Sequence, residues 1–149
     1  MIEVKDFEKS DFDDFKVQSG QEYFDNFIGD EQYLKNLEEL GTSKTMIIDG
    51  WVFMAFGVVL TTVNRGQFWG LLSDTKVAPI TAHRKRVTVF RIIMQYLEDL
   101  NIPRIEAHIH ANHYQGHKLL NMLEFVCETP NGMKKFFGNE TGHLYARVR

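Results

Sequence analysis

The sequence of 149 residues predicts an α+β fold: a mixed, twisted sheet with helices on both faces. Three observations carry this expectation. Apolar runs flank Asp49-Gly50, and a second turn follows at Asn64-Arg65-Gly66, which is the pattern of an antiparallel meander. Arg84 to Leu100 repeats Val87, Phe90, Ile93, Met94, Leu97 and Leu100 along one helical face. Ile105, Ala107 and Ile109 then alternate with Glu106, His108 and His110, so a strand follows the helix. A helix-length connection between strands normally makes them parallel and right-handed.

The remaining elements follow in order. Ile2 and Val4 alternate with polar neighbours in a short first strand. Asp6 to Phe15 carries Phe7, Phe12 and Phe15 in a weak helical pattern, and Gln18 to Gly29 is an apolar connection containing Tyr23, Phe24, Phe27 and Ile28. Asp30 to Leu40 reads as a helix, with Tyr33, Leu34, Leu37 and Leu40 at helical spacing, Asp30 as its cap and Gly41 as its end. Lys44 to Ile48, Trp51 to Leu60 and Gln67 to Leu72 are the meander strands. After the long helix, which Asn101 and Pro103 stop, come the strand at Ile105, a helix from His113 to Leu123, and strands at Phe125 to Glu128, Lys134 to Phe137 and His143 to Val148. A splay of the sheet is expected near Leu71 to Val77.

A chain of this size buries about two-thirds of its unfolded surface without disulfides or metals. With 44% hydrophobic and 25% charged residues, it sits near the average for globular domains, and one domain spanning residues 1–149 is expected. Cys127 is the only cysteine, and no charged-then-apolar leader pattern opens the chain, so folding in a reducing, intracellular compartment is expected. Trp51 to Leu60 is about half the roughly 20 residues of a membrane helix. The net charge of −3 argues against general nucleic-acid binding, which needs many phosphates neutralised together. Acidic residues crowd Glu3 to Glu39, while basic ones crowd Arg84 to Lys135.

The element order, with Val77-Ala78-Pro79, the basic turn starting at Arg84, Asn112 and Leu123-Glu124-Phe125, resembles the Gcn5-related N-acetyltransferase (GNAT) fold. That resemblance implies a loop of the form Arg/Gln-x-x-Gly-x-Gly/Ala, whose backbone N–H groups meet the pyrophosphate of acetyl-CoA at a helix start. It places Arg84, Lys85, Arg86 and Val87 in that loop, Leu72 on the strand that holds the pantetheine, and Asn112 at the closing asparagine. Three departures stand out. Val87 and Val89 occupy the glycine and small positions; Leu119 or Leu120 occupies that of the tyrosine that often protonates the departing thiolate; and Glu124 replaces the glycine of Leu-Gly-Phe. A narrower resemblance, carried by Leu71-Leu72-Ser73-Asp74, the basic helix start, Ala111-Asn112 and the aromatic-rich C-terminal hairpin, is to GNAT-like phage proteins grouped with internal virion protein A of short-tailed phages.

Other candidates stand on the residues alone. Cations at a helix start oppose its dipole, so Arg84, Lys85 and Arg86 suit a bound anion or form a solvated basic turn. His108, His110, His113 and His117 are the metal candidates: two share a strand face and two lie at i and i+4, so they converge if the following helix folds back over that face. Otherwise they are polar or half-buried histidines. Cys127 reads as a buried thiol, and His143 and Tyr145 as cross-strand packing residues. Glu38, Glu39 and Asp49 are general bases only by analogy, and Trp51, Phe53 and Phe56 are mostly core.

Two functions fit. With the loop glycines and the tyrosine missing, the narrower resemblance implies a non-catalytic phage virion assembly or internal structural protein. It would work in the host cytoplasm during assembly or in the virion, bind other virion or assembly proteins, and need no cofactor. The alternative is an N-acetyltransferase using acetyl-CoA, with Arg84 and Arg86 replacing backbone amides as phosphate donors.

Overall fold

The computed structural model describes residues 1–13, 15–17, 21–22, 29–74 and 84–149. Val77-Ala78-Pro79, the Ala82-His83 start of the basic turn and Tyr23, Phe24, Phe27 and Ile28 of the apolar connection lie outside them. The elements are β1 (Ile2–Asp6), a short helical turn (Lys9–Phe12), α1 (Glu31–Glu39), β2 (Lys44–Ile48), β3 (Trp51–Thr62), β4 (Arg65–Leu72), α2 (Arg86–Leu100), β5 (Arg104–His110), α3 (Tyr114–Met122), β6 (Val126–Cys127), β7 (Met133–Phe137) and β8 (Glu140–Val148). They fall into two compact units, the first of Met1–Val59 with Trp69–Arg86, the second of Leu60–Phe68 with Val87–Arg149. β3 and β4 run from one into the other.

In the first unit β1, β2 and β3 form successive antiparallel pairs. The β2–β3 turn has φ of 51° at Asp49 and 87° at Gly50, the positive pair that a two-residue hairpin demands. α1 starts where the Asp30 side chain accepts the Tyr33 N–H at 3.1 Å and ends before Gly41, at φ 68°. Its apolar stripe, Leu34 and Leu37, packs with Phe7, Phe12, Val17, Ala55 and Leu71 into one buried cluster, with Tyr33 and Trp69 against it. Gly57 lets neighbours come close: a Cβ there would meet Ser43 Oγ at 2.9 Å and Trp69 Nε1 at 3.0 Å. The Asp6 to Phe15 pattern yields only the single turn Lys9–Phe12, which buries Phe12.

In the second unit β4 pairs with β5 in parallel, as the helical connection predicts. The turn before β4 is one step earlier than expected, because Arg65 and Gly66 are already paired with Arg104 and Ile105. This ladder ends at Gln67 with Glu106, although β4 continues to Leu72 and β5 to His110. The pairing therefore stops before the expected splay point at Leu71. β8 pairs antiparallel with β5, β6 and β7.

Register fixes the faces. Opposed residues of an antiparallel pair share a face, so Ile105, Ala107 and Ile109 lie with Arg147, Tyr145 and His143. Both helices of this unit pack there. Arg147 Nη2 reaches Met94 Sδ (3.6 Å) and Glu98 (3.3 Å) on α2, and Tyr145 meets His117 on α3. Among the described residues no helix is long and apolar enough to cross a membrane.

Candidate functional site

The basic turn leads directly into α2. Arg84 and Lys85 precede the helix and Arg86 is its first residue. The three cations are not equivalent. Lys85 Nζ lies 2.9 and 3.1 Å from the two carboxylate oxygens of Asp49, in the β2–β3 turn, whereas Arg84 and Arg86 are exposed and form no ion pair among the described residues. Val87 is 64% exposed while Val89 is buried, so the first turn of α2 presents a branched side chain where a backbone cradle would need hydrogen. Guanidinium groups here can meet phosphate oxygens; close approach of an anion to the N–H of Val87 is obstructed by its own Cβ.

Leu72 ends β4, and the hydrogen bonds beside it show which edge is in use. The N–H and C=O of one strand residue point to one edge, and successive residues alternate. Asn64 C=O accepts from Arg104 of β5 (3.3 Å), so even-numbered residues of β4 face the edge that pairs with β5. Ser73 N–H donates to Phe53 C=O of β3 (2.9 Å), so odd ones face β3. Beyond the end of the parallel ladder, that even-numbered edge is taken by the chain's own N-terminal segment. Gln21 Nε2 donates to Gly70 C=O at 2.8 Å, Gln21 Oε1 accepts from Leu72 N–H at 3.1 Å, and Lys16 C=O accepts from Asp74 N–H at 2.7 Å. Val17 bridges antiparallel to Ser73. Gln21 is only 4% exposed.

No family model matches the chain, and neither does any curated protein. Solved structures do. A GNAT-family acetyltransferase from Bacillus anthracis superposes with a TM-score of 0.68 at 9% identity, covering 99% of this chain and 94% of that one. The chain has the GNAT acetyltransferase fold. Ribosomal-protein-S5-alanine acetyltransferase from Vibrio fischeri matches with a TM-score of 0.60 at 16% identity, over 99% of this chain and 92% of that one. A point mutant of SpeG spermidine N-acetyltransferase from Vibrio cholerae matches with a TM-score of 0.63 at 12% identity, over 99% and 93%. At such identities the likeness establishes the fold alone.

Within the GNAT fold, Leu120 is buried and Leu119 half-buried on α3, and neither can give a proton to a thiolate. Asn112 is exposed in the turn before α3, its backbone N–H 3.3 Å from His110 Nδ1. Glu124 stands at φ 66°, so the left-handed conformation that favours glycine in Leu-Gly-Phe is kept without the glycine.

The four candidate histidines do not converge. His108 and His110 occupy the face of β5 opposite Ile109, beside Phe136 (4.9 Å between ring centroids) and Phe137 (5.7 Å). α3 packs on the other face, where a Cβ on Gly116 would lie 2.3 Å from Ile109 Cδ1. The turn thus carries His117 away from the two strand imidazoles, the reverse of what convergence required. Among the described residues no group of three His, Cys, Asp or Glu side chains could hold a metal. His113 is buried, and His117 Nε2 faces the carbonyls of His110 and Ala111, both at 3.1 Å. Carbonyls only accept, so Nε2 carries the proton and Nδ1 accepts from the Tyr145 hydroxyl at 2.8 Å. His110 also contacts Glu140. Gln67 Nε2 lies 3.0 Å from His108 Nδ1, and burial pushes His108 below the ordinary imidazole range; Glu106 partly offsets this and Arg65 adds to it.

Sequence reasoning missed Gln21, Lys16 and the Lys85–Asp49 pair. Nothing local singled out Gln21, because the same connection holds the amides Gln18 and Asn26 and the carboxylates Glu22 and Asp25; only burial, which obliges an amide to find partners, sets it apart. Cys127 is half-buried, 3.8 Å from His143 Nδ1. That nitrogen lies 2.8 Å from Thr129 C=O, so it is a donor and cannot take the thiol proton.

Proposed function

We propose that this chain is an acyl-CoA-dependent N-acyltransferase in which arginine side chains, rather than glycine backbone, meet the pyrophosphate. The observation that carries the reading is the exposed pair Arg84 and Arg86 at the start of α2, in a chain whose fold matches acetyltransferases over 99% of its length. Guanidinium groups bind phosphate through paired, charge-assisted hydrogen bonds and need no backbone approach. The thioester of a bound acyl-CoA supplies an activated acyl group to an amine. The names of the structural relatives give them different acceptors, a ribosomal-protein alanine and spermidine, so the fold carries no choice of amine.

Calorimetric titration with acetyl-CoA and with CoA tests the reading. Micromolar binding is expected for the unaltered protein. The Arg84→Ala, Arg86→Ala double variant should lose more than about tenfold, since each charged hydrogen bond is worth about 1.5–3 kcal/mol. No binding at millimolar ligand would overturn it.

A second, non-catalytic reading draws on Val87 in the cradle and Leu119 or Leu120 at the tyrosine position. In it the scaffold is a phage virion assembly or internal structural protein, meeting other virion or assembly proteins through its acidic N-terminal helices and its basic Arg84-Lys85-Arg86 turn. The acetyltransferase likeness lends it no support. Absence from both purified particles and assembly intermediates would end it.

A further inference from the structure

The best-defined contact near Leu72 is one the chain makes with itself. A primary amide placed across Gly70 C=O and Leu72 N–H copies what an added extended chain would offer that edge, one donor and one acceptor spaced two residues apart. Lys16 C=O on Asp74 N–H continues the substitution. We propose that Gln21 is an intramolecular latch on the β4 edge, which an extended amide chain, the pantetheine arm of acyl-CoA, displaces on binding. The inference rests on the acyltransferase reading above and adds to it the residue that controls access.

The arm of CoA carries two secondary amides, each a donor and an acceptor, so it can satisfy the groups that Gln21 releases. No buried backbone group is then left unpaired, which keeps the exchange near balance. The closed state lowers apparent affinity by the fraction of molecules that are open. The two groups that Gln21 holds on β4 are ones the arm would pair with, so the 3′-phosphoadenosine 5′-diphosphate half of CoA should not sense it.

The test pairs two ligands with two proteins. Gln21→Met keeps the side-chain volume and removes both hydrogen bonds. By calorimetry it should bind CoA about tenfold more tightly than the unaltered protein, while binding of 3′-phosphoadenosine 5′-diphosphate, which keeps the pyrophosphate and lacks the arm, changes by less than about twofold. Hydrogen exchange at the Leu72 amide should speed up in free Gln21→Met and slow again when CoA is added. If Gln21→Met fails to fold by circular dichroism, Gln21→Glu supplies the readout, because ionised it accepts from Leu72 N–H but cannot donate to Gly70 C=O. Equal or weaker CoA binding in the folded variant, with CoA still bound by the unaltered protein, overturns the latch and leaves the acyltransferase reading standing. Failure of both proteins to bind either ligand overturns the acyltransferase reading and the latch with it.

Discussion

Two residues on β5 have lowered pKa values, so each costs stability as the pH falls, and their pH windows separate them. Burial holds His108 below its ordinary 6.5, so below that pH the unfolded chain takes up a proton that the folded one resists, and stability falls. Glu106 is held below its ordinary 4.5 by the hydrogen bond from Arg65, against the cost of burial and with help from Arg104. Its contribution is complete above about pH 4.5 and is lost as the pH falls further. His108→Asn should therefore flatten the fall of the denaturation midpoint as the pH drops below about 6.5 and leave the acid limb in place, whereas Glu106→Gln should remove part of the acid limb. A variant His108→Asn with an unchanged profile in the upper window would show that another group causes it. Glu124 offers the simplest gain: its φ of 66° strains a residue with a Cβ, and its link to Arg147 is long at 3.8 Å. Glu124→Gly should raise stability by about 0.5–1 kcal/mol in urea unfolding.

At the scale of the element, α3 and α1 show opposite limits of propensity. Replacing glycine inside a helix normally stabilises by about 0.5–1 kcal/mol. In α3, however, a Cβ at Gly116 would lie 2.3 Å from Ile109 Cδ1 and 2.4 Å from His113 Cδ2. Gly116→Ala should destabilise by about 1–3 kcal/mol, because overpacking outweighs the propensity gain. A stabilised Gly116→Ala would mean that α3 can move off β5. In α1 the decisive group is the cap: Asp30→Ala removes the acceptor for Tyr33 N–H and should cost about 1 kcal/mol by thermal or urea unfolding. Both helices were legible from spacing alone. The Asp6 to Phe15 segment was less so, because Phe7, Phe12 and Phe15 fit a weak helical pattern while only the single turn Lys9–Phe12 forms.

At the scale of the whole molecule, the chain combines the GNAT fold with a net charge of −3 and a basic turn. Its anion site, if formed by Arg84 and Arg86, is exposed, so screening acts on it fully. CoA affinity should fall several-fold between about 0.05 and 0.5 M salt, and the double arginine variant should lose that dependence. A salt-independent affinity would place the phosphates elsewhere.

The sequence by itself determined the fold class, the hairpin at Asp49-Gly50, the parallel pairing of β4 with β5 and the departures from the GNAT cradle. Periodicity, turn chemistry and short motifs are local, and each is written within a few residues. Only the tertiary structure decided the faces and the edges. It carried His117 to Tyr145 rather than to His108 and His110, because α3 packs over Ile109. It set Lys85 on Asp49, leaving two arginines exposed, and closed the β4 edge with Gln21 from 49 residues away in sequence. Such contacts depend on which backbone groups remain unpaired once the strands are in register, and no local pattern records that.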